Sequence, residues 1–361
     1  MRTPLAAIGL RGFPGVQGGV ERHCADILPN LGLPCRVYRR KPFVTEGDSP
    51  PANIRFVDLP STRIKGFEAA FHTLLCVAHL IVHPVKIVNI HNIGPAFLSP
   101  VLKLFGMKVV LTYHSTNYKH DKWGMFSKMI LKAGEKIGFR WADRIIFVNE
   151  SMRLTAESNH VLHKSVFIPN PITAGCPDTS GDYCTKIGVT PYKYILAVGR
   201  LTPEKGFETL LRAANSLPDD YKIVIAGAAD HNPDYLRTLK ELDKSHRVIF
   251  TGYADRDTLN ELYSHARIFV LPSLFEGMSL ALLEAMSFGL PVCLSDIDAN
   301  HLPELENRAL FFNPTSSEAL SDAINLALQQ PQRTDYDLSR YSPTSIIAET
   351  AGVYSSLLAV S

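Results

Sequence analysis

Cysteine is sparse in this chain: six in 361 residues, with no C-x-x-C pair and no accompanying histidine pattern of zinc-site spacing. That excludes a disulfide scaffold and a zinc ribbon, and it reads as a reduced, cytosolic protein. Long apolar runs are missing too. The most apolar stretch, Ala69 to Val82, falls short of the about 20 residues a bilayer span needs, contains His72 and His79 and is followed by Pro84, so it reads as a core helix. No basic-then-apolar-then-cleavage pattern precedes the first buried strand, Leu5 to Leu10, and secretion is not expected. There is no G-x-G-x-x-G dinucleotide spacing, no repeat of solenoid period and no low-complexity segment.

What is present is a globular composition, 46% hydrophobic and 20% charged, of a length that suggests two domains. The net charge of +2 conceals an asymmetry: residues 1–170 carry 22 Lys/Arg against 11 Asp/Glu, and residues 171–361 carry 15 against 24, so the first half is +11 and the second −9. The acidic half argues against a nucleic-acid protein. The basic half suits an anionic membrane or a phosphate-bearing acceptor.

Short apolar runs at Arg36–Tyr38, Ile54–Val57, Ile87–Ile90, Val109–Thr112 and Arg144–Val148 alternate with helical segments, which predicts a parallel, doubly wound sheet. A Pro-rich connection, Asn170 to Asp182, then leads to a second series: Tyr194–Val198, Lys222–Ala226, Val248–Gly252, Ile268–Leu271, Val292–Leu294 and Leu310–Phe312. The fold class is therefore α/β, two Rossmann-like domains, with the first spanning 1–170 and the second 171–341.

The candidate chemistry clusters in loops after strands. In RIFVLPSLFEGMSLALLEAMSFGLPVCLSD, residues 267–296, a strand, a loop and a helix from Met278 to Phe288 precede another strand. Gly277, Met278, Ser279 and Leu280 would offer backbone N–H groups at the helix start, where the dipole favours a phosphate. Glu284, about two turns on, could then accept from ribose hydroxyls, and Glu276 lies in the loop. The plainer alternative is an amphipathic helix with one solvated and one capping Glu. In GLRGFPGVQGGVERH, residues 9–23, Gly18 and Gly19 let the backbone approach a diphosphate. His91 and His114 stand just past strand ends, where open α/β sheets place ligands. The two D-x-D pairs, Asp255/Asp257 and Asp296/Asp298, read as capping and loop residues, and the i, i+4 pair His79/His83 lacks a third zinc ligand, so no metal site is assigned.

PSLFEGMSLALLEAMSFGLPV resembles the signature of the retaining GT-B glycosyltransferases of family four, P-S-x-x-E-G-x-x-x-x-x-x-E-A. GRLTPEKG, residues 199–206, resembles that family's diphosphate clamp. The R-G-x-P-x-x-x-G-G-x-E run from Arg11 to Glu21 resembles the opening of a subset acting in bacterial polysaccharide assembly. The resemblance spans essentially the whole chain. It implies a metal-independent hexosyl transfer with retention, by a front-face route in which the leaving phosphate helps deprotonate the acceptor. Arg200 and Lys205 would neutralise the departing diphosphate, Glu276 would meet the donor sugar, Glu284 the ribose, and His114 would approach the same sugar. It implies no cofactor, the nucleotide sugar, UDP- or GDP-linked, being a substrate. The acceptor would be a glycan or lipid-linked glycan, and residues 342–361 a helix returning to the first domain. The rivals are a nucleotide-sugar epimerase, a phosphorylase and a non-catalytic nucleotide-sugar-binding protein.

Residues 119–144 carry Lys128, Lys132, Lys136, Arg140 and Arg144 at four-residue spacing, beside Trp123, Met125, Phe126, Met129 and Ile130. This stripe, interrupted by Glu135 and Asp143, predicts a peripheral contact with the inner membrane face.

Overall fold

Leu5–Ile8 (β1) ends where Gly9 turns to φ +97°, a conformation glycine adopts freely, and a Cβ there would lie 2.2 Å from the His91 carbonyl oxygen. The first strand is thereby pressed against its neighbour at its carboxyl end. The remaining strands of this unit are Cys35–Arg40 (β2), Ile54–Leu59 (β3), Ile87–His91 (β4), Lys108–Tyr113 (β5), Arg144–Phe147 (β6) and Ser165–Phe167 (β7). They form one parallel sheet in the order β3-β2-β1-β4-β5-β6-β7. Strands buried on both faces explain the near-continuous apolar runs in the sequence. β7 is a three-residue edge strand of half-buried residues, too short to show a period.

This computed structural model describes residues 3–13, 16, 18–44, 47, 49–62, 67–116, 118, 124–229 and 233–359. Pro14, Gly15 and Gln17 of the glycine-rich turn, residues 119–123 of the basic segment with Trp123, the side chain of Phe126, and Val360 lie outside them.

The chain divides into a unit made of residues up to Pro171 with those from Tyr341 onward, and a unit spanning Ile172–Arg340. The C-terminal helix Pro343–Leu358 supplies Ile346, Val353, Tyr354 and Leu357 to the first unit's core beside Leu5, Cys24, Val37, Ile87 and Val110. The second unit has Tyr194–Val198 (β8), Lys222–Ala226 (β9), Val248–Gly252 (β10), Ile268–Leu271 (β11), Val292–Ser295 (β12) and Ala309–Phe312 (β13). Its sheet is parallel, in the order β10-β9-β8-β11-β12-β13, over a core built on Ile195, Phe207, Leu211, Ile225, Ile268 and Ile324. Both sheets are doubly wound α/β.

Three details differ from the sequence reading. The helix Glu68–Val82 is half-exposed: His72, Cys76, Val77 and Leu80 face inward, whereas Leu74 and Val82 face out. Helix Met125–Trp141 stops short of Arg144, which opens β6 and so leaves the basic stripe. Glu135 does not interrupt that stripe either, because it is buried and accepts from the hydroxyls of Tyr113 at 2.5 Å and Tyr118 at 3.0 Å. Among the described residues, no helix is long and apolar enough to cross a membrane.

Candidate active site

In the second unit the strand order reverses between β8 and β11, and in open α/β sheets ligands bind beyond the carboxyl ends of such a pair. The loop after β8 carries Arg200 and Lys205, and the loop after β11 carries Glu276. Gly206 brings the two loops together. It sits at φ +64°, and a Cβ there would lie 2.1 Å from the Pro272 carbonyl oxygen. The Leu274 N–H donates to the Glu204 carbonyl at 2.9 Å across the same junction. Lys205 Nζ then donates to Glu276 Oε1 at 2.5 Å, and Ser273 Oγ donates to the same oxygen at 2.7 Å. The carboxylate is 9% exposed and the ammonium 19%, so the pair is weakly screened. Among the described residues, neither Glu276 Oε2 nor the Arg200 guanidinium has a hydrogen-bond partner. Ser295 Oγ, held by Asn300, braces the loop by donating to the Ser273 carbonyl at 2.5 Å.

The helix bearing the second glutamate runs Leu280–Ser287 and does not begin at Met278. Ser279 stops it, its hydroxyl accepting from the Leu282 N–H at 3.3 Å as an N-cap. Gly277 and Met278 are consequently loop residues, and of the four expected N–H donors only Leu280 belongs to the first helical turn. Glu284 is held by two side chains of the helix Arg256–His265: Arg256 Nη1 donates to its Oε1 at 3.2 Å and the Tyr263 hydroxyl to its Oε2 at 3.2 Å. Burial and that carboxylate push the Tyr263 hydroxyl's pKa well up, so it stays a donor. Sequence reasoning missed Arg256 and Tyr263; the signal was their i, i+7 spacing on one face of a helix that Asp255 caps by accepting from the Thr258 N–H.

In the first unit β1 and β4 form the corresponding pair. Gly18 precedes the helix Gly19–Ile27, and Arg11 donates to Glu21 Oε1 from its backbone N at 3.1 Å and its Nε at 3.3 Å, tying one end of the glycine-rich turn to the other. One turn along, His23 faces the two strand-end histidines. His91 Nδ1 and His114 Nε2 are 3.0 Å apart, and the His23 ring meets His114 edge-on with centroids 4.9 Å apart. Burial lowers all three pKa values, His23 to about 4 and the others well below 6.5, each depressed further or opposed by close neighbours: Asn170 raises His23, whereas His23 lowers both of the others. The rings are therefore neutral near pH 7. The pair His79/His83 stands apart, with Tyr38 Oη 2.9 Å from His79 Nδ1.

The helix Met125–Trp141 exposes Lys132, Lys136 and Arg140 with Lys128 half-buried, while Met125 and Met129 are 84% and 63% exposed.

Residues 17–174 match the model of Glycosyltransferase Family 4, and residues 186–343 that of Glycosyl transferases group 1. The O-antigen chain mannosyltransferase B of Escherichia coli is 36% identical over 142 residues, 38% of this chain and 37% of its own length. The chain spans less than half the length of the curated relatives first matched. Sucrose-phosphate synthase from Thermosynechococcus elongatus superposes with a TM-score of 0.80 at 21% identity, covering 100% of both chains. The HepE protein of Anabaena, solved with UDP-glucose, gives 0.78 at 16% identity, covering 98% of this chain and 99% of its own. At these identities the two structures bear on the fold alone.

Proposed function

The chain belongs to the family-four glycosyltransferases of GT-B fold, and from that premise we propose that it moves a hexose from a nucleotide diphosphate sugar, with retention at the anomeric carbon, to a glycan or lipid-linked glycan acceptor in surface polysaccharide synthesis. The Lys205–Glu276 contact at the switch point of the second unit carries this reading. A cation and a carboxylate in contact at such an edge suit a ligand that joins a dianionic diphosphate to a polyhydroxylated sugar. The diphosphate draws the ammonium away together with the Arg200 fork, and the freed Glu276 carboxylate accepts from sugar hydroxyls. Glu284 takes the ribose, with Arg256 and Tyr263 fixing its two oxygens. The N–H groups before and within the first turn of Leu280–Ser287 face the phosphates. Gly18 and Gly19 offer close backbone approach from the first unit, and His114 contributes a neutral donor to the transferred sugar.

Because two cations meet the leaving charge, the transfer step itself calls on no divalent ion, and its rate should not rise on adding Mg2+ or Mn2+. A uridine donor is the first to try, given the UDP-glucose held by the HepE protein of Anabaena. The exposed cations of Met125–Trp141 suit a reversible contact with an anionic membrane, where a lipid-linked acceptor resides.

A thermal-shift panel of UDP, GDP, ADP and dTDP sugars tests the donor. The cognate sugar at about 100 times its dissociation constant should stabilise the protein by about 2.7 kcal/mol. Free nucleotide should then be released only when an acceptor is supplied. Interconversion of the donor without release would establish an epimerase, and affinity without turnover a binding protein.

A further inference from the structure

Each neutral imidazole has one nitrogen that carries a proton and one that carries a lone pair, so the partners of His23, His91 and His114 decide where the lone pairs point. His23 Nδ1 lies 2.8 Å from Asn170 Oδ1 and must donate to it, which leaves the lone pair on Nε2. Among the described residues, that Nε2 has no hydrogen-bond partner. His91 Nδ1 and His114 Nε2 share one proton across 3.0 Å. The three rings' candidate ligand nitrogens all lie within 4.8 Å of one another, and all three residues are buried.

We propose that His23, His91 and His114 form a binding site for one divalent d-block cation, of the zinc, cobalt or nickel class, within the first unit. The ligands would be His23 Nε2, His91 Nδ1 and His114 Nε2, with water in the fourth position. Tetrahedral ligands at zinc–nitrogen distance stand about 3.3 Å apart, so the His91–His114 spacing of 3.0 Å is already close, and the His23 nitrogen, within 4.8 Å of both, closes on them by turning its ring. Imidazole suits these ions, and three neutral rings are ligands without prior proton loss.

The surroundings permit the exchange of a shared proton for a metal. When His91 gives up its Nδ1 proton it must carry one on Nε2, which lies 3.1 Å from the Asn89 amide nitrogen. Turning that amide over presents its oxygen instead, and the amide's two other contacts are hydroxyls, Thr112 Oγ1 at 2.9 Å and Tyr354 Oη at 2.7 Å, each able to donate or accept. The proton moves from Nδ1 to Nε2, none is released, and the displaced groups are waters. His23 donating to Asn170 and His91 donating to Asn89 are the outer contacts that orient metal-bound histidines. The ligands all belong to the first unit, His114 among them keeping its Nδ1 proton for the transferred sugar, and the metal content is read without any turnover.

The test is metal content. Chelator-treated protein incubated with Zn2+ and desalted should retain one equivalent, and Co2+ in its place should give the visible ligand-field absorption of a tetrahedral site. Asn170→Ala should weaken Co2+ affinity by about 10-fold or more, and His23→Ala should abolish the absorption, while His79→Ala and His83→Ala change neither. Should a histidine variant fail to fold by circular dichroism, the wild-type stoichiometry and the Asn170→Ala affinity decide. Less than one-tenth of an equivalent of Zn2+ in the wild type, Co2+ bound without tetrahedral absorption, or binding that survives His23→Ala and disappears in His79→Ala overturns the proposal.

Discussion

Lys205 and Glu276 would serve one donor in the proposed reaction, yet at rest each is the other's partner, and that exchange makes their variants distinguishable. Lys205→Ala removes charge stabilisation at the departing diphosphate and should lower the transfer rate by roughly 10²-fold. Near-normal turnover in that variant would remove the clamp assignment. Glu276→Ala should depress turnover far more than nucleotide affinity. Glu284→Ala should do the reverse, weakening free nucleotide by about 1.5–3 kcal/mol, the scale of a hydrogen bond to a charged group; equal nucleotide affinity of the two variants by calorimetry would show the roles to be wrongly divided. At this scale the sequence located loops and left contacts unread. That Lys205 and Glu276 stand in loops at the carboxyl edge of one sheet was legible from the βαβ pattern, whereas the adjacency of β8 and β11 is a matter of strand order that the pattern does not give. That they touch depends on Gly206, whose positive φ no spacing announces. His23 was invisible as a neighbour of His91 and His114, because their proximity arises from β1 pairing with β4 and β4 with β5, a consequence of strand order.

At the scale of elements, strand positions followed from apolar runs of strand length, and the errors fell at ends, apart from the three-residue β7, which the sequence reading did not mark as a strand. The helix of Glu284 looked two residues longer at its start because Met278 continues the apolar pattern, whereas Ser279 competes for the backbone and wins by capping. Gly206 is the element-scale point of failure. Alanine there must hold φ +64° and place its Cβ 2.1 Å from the Pro272 oxygen, so the loops after β8 and β11 have to separate. Gly206→Ala should destabilise the protein by roughly 1–3 kcal/mol, and it should lower transfer further than that loss of folded protein explains, since Lys205 is the adjacent residue. Denaturant unfolding beside single-turnover rates measured well below the melting temperature separates the two effects. An unchanged midpoint would mean that the junction tolerates a side chain.

Over the whole molecule the charge divides, +11 on residues 1–170 and −9 on the rest, and three exposed cations of the basic half, Lys132, Lys136 and Arg140, share one helix. Neither supposed interruption breaks the stripe: Glu135 points inward to Tyr113 and Tyr118, and Asp143 is engaged by Lys103 at 2.6 Å and by the Val109 N–H at 2.7 Å. Arg144, which seemed to extend the stripe, belongs to β6. What remains is Lys128, Lys132, Lys136 and Arg140 beside exposed Met125, Met129 and Ile130, an amphipathic surface with cations flanking apolar side chains. Each cation near an anionic leaflet contributes about 1 kcal/mol, so four together suffice for reversible attachment and the apolar residues add insertion area. Flotation with vesicles of anionic lipid at low salt should carry the protein upward. High salt should release most of it, since interactions beyond a Debye length of about 10 Å at 0.1 M are screened. Replacing Lys132, Lys136 and Arg140 by Glu should abolish flotation and leave transfer to a water-soluble acceptor analogue intact. Equal recovery with neutral vesicles would instead assign the attachment to Met125 and Met129 alone, and no flotation at low salt would return the helix to the solvent and favour a soluble acceptor.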